Sequence, residues 1–168
     1  MIRELWLLRH GKAERDGLIA DFQRSLKKSG KQSVRRIGLW LKQQGLKPDF
    51  LLTSPATRAF DTASIIVDTL DEDNFLLKQD DRLYFQGPDA LKQILVEIPP
   101  AFKRVLLVGH NPDFEDLFSY LAGAANLPAT DKLLPTAALV RLKMPDDWRD
   151  LSLGCAQVLS ITYPKSLE

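Results

Sequence analysis

Leu5-Trp6-Leu7-Leu8-Arg9-His10-Gly11-Lys12 is the stretch that decides the fold. Four consecutive apolar residues read as a short strand covered on both faces, the pattern of a central strand in a parallel sheet. The run ends at an arginine, a histidine and a glycine. In open α/β sheets, ligands bind beyond the carboxyl ends of the strands, so Arg9 and His10 stand where a site is expected. Gly11 permits a sharp turn and leaves room beside a ligand. The chain has two histidines, and the second has the same setting. Val105-Leu106-Leu107-Val108 runs directly into Gly109-His110-Asn111-Pro112.

Outward from these two strands, helical and extended patterns alternate. Residues 11–27 are polar and mixed in charge, a loop leaving the first strand. A helix is expected from near Ser29, with Val34, Ile37, Gly38 and Leu41 on one face, Gly45 as its C-terminal cap and Pro48 barring continuation. Phe50–Thr53 reads as a strand. Ser54-Pro55 then reads as a helix start, serine as N-cap and proline at the first helical position. Ala59, Ala63, Ile66 and Leu70 form that helix's buried stripe. Asp71-Glu72-Asp73-Asn74 reads as a solvated turn, and Phe75-Leu76-Leu77 as a short edge strand. Another helix is expected over Pro88–Ile98, stopped by Pro99-Pro100.

After the second histidine, Asn111 is expected as N-cap and Pro112 as the first helical residue. Phe114, Leu117, Phe118 and Leu121 supply the apolar stripe, and Gly123 the stop. Two further strands, near 137–142 and 156–163, have no clear helix between them and read as antiparallel neighbours. The expected architecture is one α/β domain over residues 1–168. It is a three-layer sandwich whose mostly parallel central sheet carries helices on both faces and an antiparallel strand toward the C-terminus.

Composition narrows the function. Lys and Arg number 23 against 22 Asp and Glu, so a nucleic-acid-binding surface is not expected, although a cluster of arginines can still make one pocket positive. Cys155 is alone, which implies no internal disulfide and a cytoplasmic location. The first apolar run is too short for a signal peptide or membrane span. No Cys/His cluster has metal-ligand spacing, so neither a metal nor a cofactor is expected.

Three strand ends converge in this arrangement. The first brings Arg9 and His10, the second brings Ser54 and the helix bearing Arg58, and the third brings His110. Two arginines, two histidines and helix N-termini in one crevice suit a dianion, because arginine grips phosphate oxygens with paired donors and helix ends add free N–H groups.

Arg9-His10-Gly11, Ser54-Pro55-Ala56-Thr57-Arg58-Ala59 with Thr62, and Gly109-His110-Asn111-Pro112 together resemble the histidine phosphatase superfamily, whose fold is that of phosphoglycerate mutase. Within it the short chain is similar to the SixA-type protein-phosphohistidine phosphatases, which act in signal transduction. Supporting marks are Asp21-Phe22-Gln23-Arg24-Ser25-Leu26, Trp40-Leu41 and Leu134-Pro135-Thr136-Ala137-Ala138. The resemblance implies that His10 is the nucleophile and that Arg9, Arg58 and His110 hold the phosphoryl group, with Gly11, Asn111 and Arg24 also beside it. Ser54 and Thr62 would support the loop. Such an enzyme needs no metal, and its partner would be a phosphorylated histidine-containing protein or a small phosphorylated substrate.

One departure bears on the subclass. Mutases and many phosphatases of this superfamily carry an acidic general acid after the second helix, where this chain reads Leu83-Tyr84-Phe85-Gln86-Gly87-Pro88. Two alternatives therefore stand beside the phosphohistidine phosphatase. One is a small-molecule phosphomonoesterase using Asp81 or Asp113 as acid. The other is a phosphate-binding module without turnover, against which the intact His10 argues.

Overall fold

The computed structural model describes residues 2–71 and 77–168. Among the described residues, six strands form one sheet: β1 (Arg3–Arg9), β2 (Phe50–Thr53), β3 (Leu77–Gln79), β4 (Arg104–Gly109), β5 (Leu139–Met144) and β6 (Gln157–Thr162), in the order β3-β2-β4-β1-β5-β6. The pairs β1–β4, β2–β4 and β2–β3 are parallel, whereas β5 runs antiparallel to both β1 and β6. One strand, β5, is thus opposed to its neighbours in an otherwise parallel sheet.

Among the described residues, four α-helices cover the sheet: α1 (Lys28–Gln43), α2 (Thr57–Leu70), α3 (Pro88–Val96) and α4 (Asp113–Ala122). Strand alternation divides the core between them. Leu5 and Leu7 of β1 pack with Leu91 and Leu95 of α3 and with Phe114 and Phe118 of α4. Trp6 and Leu8 point the other way, to Val34, Ile37 and Leu41 of α1 and Ala59, Ala63 and Ile66 of α2. The expected stripes on α1, α2 and α4 are the buried faces of those helices. β1 is covered on both sides, which is why its sequence is a continuous apolar run.

Local boundaries differ from expectation in three places. α2 begins at Thr57 with Ala56 as N-cap, so Ser54-Pro55 precede the helix instead of capping it. α4 begins at Asp113 after Pro112, so Asn111 is not its N-cap. The third helix ends at Val96, two residues short of Ile98. The edge strand comprises Leu77–Gln79; Phe75 and Leu76, with Glu72, Asp73 and Asn74 of the expected turn, lie outside the described residues.

The loop after β1 is held against α1 at very close range. A Cβ on Gly30 would lie 2.2 Å from the Lys12 carbonyl oxygen, and one on Gly11 would lie 2.9 Å from the Gly30 oxygen. Glycine at both positions lets the backbone of the histidine loop rest directly on the first turn of α1. Within the loop, a bridge between Ala13 and Leu26 and a 3-10 turn at Asp21–Gln23 give the polar stretch a defined course.

Candidate active site

β1 and β4 lie side by side at the sheet centre in the register Leu8–Val108 and Arg9–Gly109. His10 continues the ladder, its N–H donating to the Gly109 carbonyl at 3.1 Å. His10 and His110 therefore leave adjacent strand ends, and their ring centroids are 5.1 Å apart. Arg9, His10, Arg24, Arg58 and Asn111 line one cleft of about 540 Å³. Gly11 lies behind the lining, its N–H donating to Thr62 Oγ1 at 3.0 Å.

Hydrogen bonding selects the state of His10. Its Nδ1 is 2.7 Å from the Gly11 carbonyl oxygen. An oxygen there can only accept, so Nδ1 carries the proton and Nε2 keeps its lone pair. That Nε2 lies 3.4 Å from Arg58 Nε, which donates to it. Burial, opposed by the Gly11 bond and helped by Arg58, Arg9 and Arg24, lowers the His10 pKa to about 4. The residue is only 7% exposed. A buried, neutral imidazole that keeps the Nε2 lone pair at the floor of a cationic cleft has the properties of a nucleophile.

His110 is set from behind. Its Nε2 is 2.8 Å from Ser54 Oγ, and the same hydroxyl accepts from the Ala56 N–H at 3.2 Å. Where the Ser54 hydroxyl gives its proton to Nε2, instead of accepting one from it, the His110 proton sits on Nδ1. That nitrogen is buried without a partner, a donor left for a bound oxyanion. Burial, then the neighbouring His10 and Arg58, push the His110 pKa down to about 3. The supporting roles of Ser54 and Thr62 are thus concrete. Ser54 orients His110, and Thr62 Oγ1 receives Gly11 N–H while donating to the Arg58 carbonyl at 2.7 Å.

Arg58, 2% exposed, is fixed by one residue. Its Nη1 donates to the Asp21 carbonyl at 2.7 Å and its Nη2 to Asp21 Oδ2 at 3.0 Å. Tyr84 Oη also donates to Oδ2, at 2.6 Å, and Arg24 Nη1 donates to Oδ1 at 2.9 Å. Burial would raise the Asp21 pKa, but these bonds outweigh it and hold the carboxyl at about 2. Asp21 is therefore an anion that positions two arginines, and it has no proton to give near neutral pH. Sequence reasoning left Asp21 as a family mark without a role, because its main partner lies 37 positions away.

Arg9 donates through Nη1 to the Leu134 carbonyl, while its buried Nε has no partner. Asn111 is turned to structure: Nδ2 donates to Glu115 Oε2 and to the Leu134 carbonyl, leaving its buried Oδ1 unpaired. Lys12, Arg15 and Lys27, which sequence reasoning left in a loop of mixed charge, also face the cleft. Six cations thus surround a single acid, Asp21. A chain of net charge +1 nonetheless concentrates positive potential at this one place.

The two candidate acids are elsewhere. Neither Asp81 nor Asp113 lines the cleft. Asp113 is buried and accepts the Gly87 N–H at 3.0 Å, and Asp81 is exposed beside Tyr84. The wall at this position is aromatic, with Phe85 packed against His110 in a tilted contact, 4.5 Å between ring centroids. Among the described residues, no three His, Cys, Asp or Glu side chains form a group that could hold a metal. No described helix is long and apolar enough to cross a membrane.

This geometry defines a class, and comparison with known proteins agrees. Residues 5–84 match the model of the histidine phosphatase superfamily (branch 1). An uncharacterised protein of Mycobacterium tuberculosis is 27% identical over 164 residues, spanning 94% of this chain and all of the relative. A crystal structure provisionally named phosphohistidine phosphatase SixA from Agrobacterium tumefaciens superimposes with a TM-score of 0.80 at 23% identity, covering 96% of this chain and 98% of that one. The protein histidine phosphatase SixA complexed with tungstate gives 0.77 at 23%, over 98% and 99% of the two chains. At such identities these structures show a shared fold. The likeness to the histidine phosphatase superfamily is thereby shown, and its SixA members share this chain's fold along nearly its whole length.

Proposed function

We propose that the protein is a metal-independent phosphatase that transfers a phosphoryl group from phosphohistidine in a protein to His10, and then to water. The observation that carries this reading is the state of His10. Its Nδ1 proton is tied to Gly11, and its Nε2 lone pair lies beside Arg58 in a cleft of six cations. Nε2 attacks phosphorus and forms a P–N bond. The bond to the substrate nitrogen breaks, and its electron pair leaves with the imidazole, which takes a proton from solvent. Water then attacks the phosphorus of phospho-His10, its oxygen enters orthophosphate, and Nε2 recovers its lone pair.

Arg58, the unpaired Arg9 Nε and the His110 Nδ1–H supply donors to the three phosphoryl oxygens, where the charge of the transition state is spread. Arg24 and Asn111 stand at the edge of this set. Arg24 reaches the cleft while bonded to Asp21, and Asn111 borders it. A buried, uncharged His10 is what the chemistry asks for, since a protonated ring has no lone pair to offer. The family match and the name of the tungstate-bound relative support the same reading.

The test is to trap the intermediate. Acid-free quenching after mixing with a phosphohistidine protein should leave base-stable, acid-labile phosphate on His10, and His10→Ala should fold but not turn over. Wild-type-like rates in that variant would exclude the mechanism.

A further inference from the structure

Where related enzymes place a general acid, this chain builds a wall of aromatic rings. Phe85 packs against His110 with ring centroids 4.5 Å apart and planes tilted by 34°, Tyr84 meets Phe85 at 4.9 Å, and Phe22 meets Tyr84 edge-on at 5.2 Å. The Arg58 guanidinium carbon lies 5.9 Å from the centre of the Phe85 ring. Despite these contacts Phe85 remains 46% exposed, and it is the one aromatic side chain among the described residues lining the cleft, whose other walls are charged, small or polar apart from His10.

The segment is held in place, not loosely draped. Phe85 has φ +54°, a conformation that a bulky residue adopts only where its surroundings impose it. On one side, the Tyr84 N–H and Gln86 Nε2 both donate to the Asp81 carbonyl at 3.1 Å. On the other, the Gly87 N–H donates to Asp113 Oδ2. Tyr84 is further tied through Asp21 to Arg58. The ring is therefore positioned by the same network that positions the phosphate donors.

In-line displacement fixes where the leaving group must lie. It departs opposite His10 Nε2 across phosphorus, and His10 is at the buried floor, so the leaving group points to the mouth where Phe85 stands. We propose that Phe85, backed by Tyr84 and Phe22, is a stacking platform that selects substrates whose leaving group is a planar ring bonded directly to phosphorus, as the imidazole of phosphohistidine is. The proposal rests on the phosphatase reading for its biological meaning, but not for its test.

Phenylphosphonate carries a ring directly on phosphorus, methylphosphonate does not, and neither can be hydrolysed. Calorimetry should show that the wild type prefers phenylphosphonate, and that Phe85→Leu reduces that preference about three- to tenfold, the scale of one aromatic contact. Phe85→Trp should restore it. A Phe85→Leu protein that keeps the wild-type preference, or whose two affinities fall in equal proportion, would overturn the platform, the latter reducing Phe85 to a cover for His110. Equal wild-type affinities for the two phosphonates would overturn it too. The phosphatase reading fails separately, by the absence of phosphate on His10.

Discussion

Acidification should reveal how unusual the two histidines are. An ordinary imidazole, of pKa ~6.5, is about nine-tenths protonated at pH 5.5. With its pKa held near 4 by burial and by the arginines, His10 would be only about 3% protonated at that pH. The proposed nucleophile thus stays unprotonated well into acid, and the acidic limb of kcat/KM that reports His10 of the free protein should lie near pH 4. Folding stability moves in the opposite sense. Between the folded and unfolded pKa values the unfolded chain binds more protons, so stability is complete above pH ~6.5 and declines as pH falls below it. Each histidine contributes up to about 1.4 kcal/mol per pH unit, so His10 alone accounts for roughly 3 kcal/mol by pH 4. Asp21 does not enter this window, because its own contribution is lost only below the ordinary aspartate pKa of ~3.9, as pH falls toward about 2. With two histidines in the chain, imidazole ¹⁵N spectra are unambiguous. Both rings should remain neutral and Nδ1-protonated from pH 8 to 5, while urea midpoints fall from pH 7 to 5. A folded-state midpoint near 6.5 for either ring, or a His10 protonated on Nε2, would refute the reasoning.

Arg9→Ala, Arg58→Ala and His110→Ala should each slow phosphate release by about 10²–10³-fold, the cost of removing one preorganised donor to the reacting group. Rates measured with and without a chelator should agree; silencing by the chelator and rescue by Mg²⁺ would contradict the arginine-based site. The leaving group supplies another test, since imidazole departs with a conjugate acid of pKa ~6.5 and an alkoxide with one near that of water, ~15.7. Lacking a general acid in the cleft, the enzyme should favour phosphohistidine over a sugar phosphate by at least about 10²–10⁴-fold in kcat/KM. A sugar phosphate that wins, with activity lost in Asp81→Asn, would hand the site to the small-molecule reading.

The central strands and both histidines were legible because β1 and β4 are covered on both faces, and such strands must be written as unbroken apolar runs. The caps were misread because Ser54-Pro55 and Asn111-Pro112 have the local chemistry of helix starts. Their side chains are committed elsewhere, Ser54 to the distant His110, and Asn111 to Glu115 one turn on and to the distant Leu134 carbonyl. Residues such as Asp21 and Phe85 carry no periodic signal at all. Their positions come from a polar loop and an irregular turn brought together by the sheet, and only the tertiary arrangement shows that one orients Arg58 and the other covers His110. The short edge strand β3 was hard to place for a related reason: three residues, exposed or half-exposed, give little pattern.

The spacing of the two histidines is a lattice constant of the protein. The backbones that carry the rings stand one hydrogen-bonded step apart, ~4.8 Å between neighbouring parallel strands, and Ser54 and Phe85 then set the His110 ring on that frame. Changes at the rim, in the 11–27 loop or in the aromatic wall can alter what enters the cleft without stretching that interval. Conversely, moving the two backbones apart requires unpairing β1 from β4. In the proposed reading, chemistry and selectivity fall to different mechanical parts, a stiff ladder beneath the histidines and a replaceable border around the cleft.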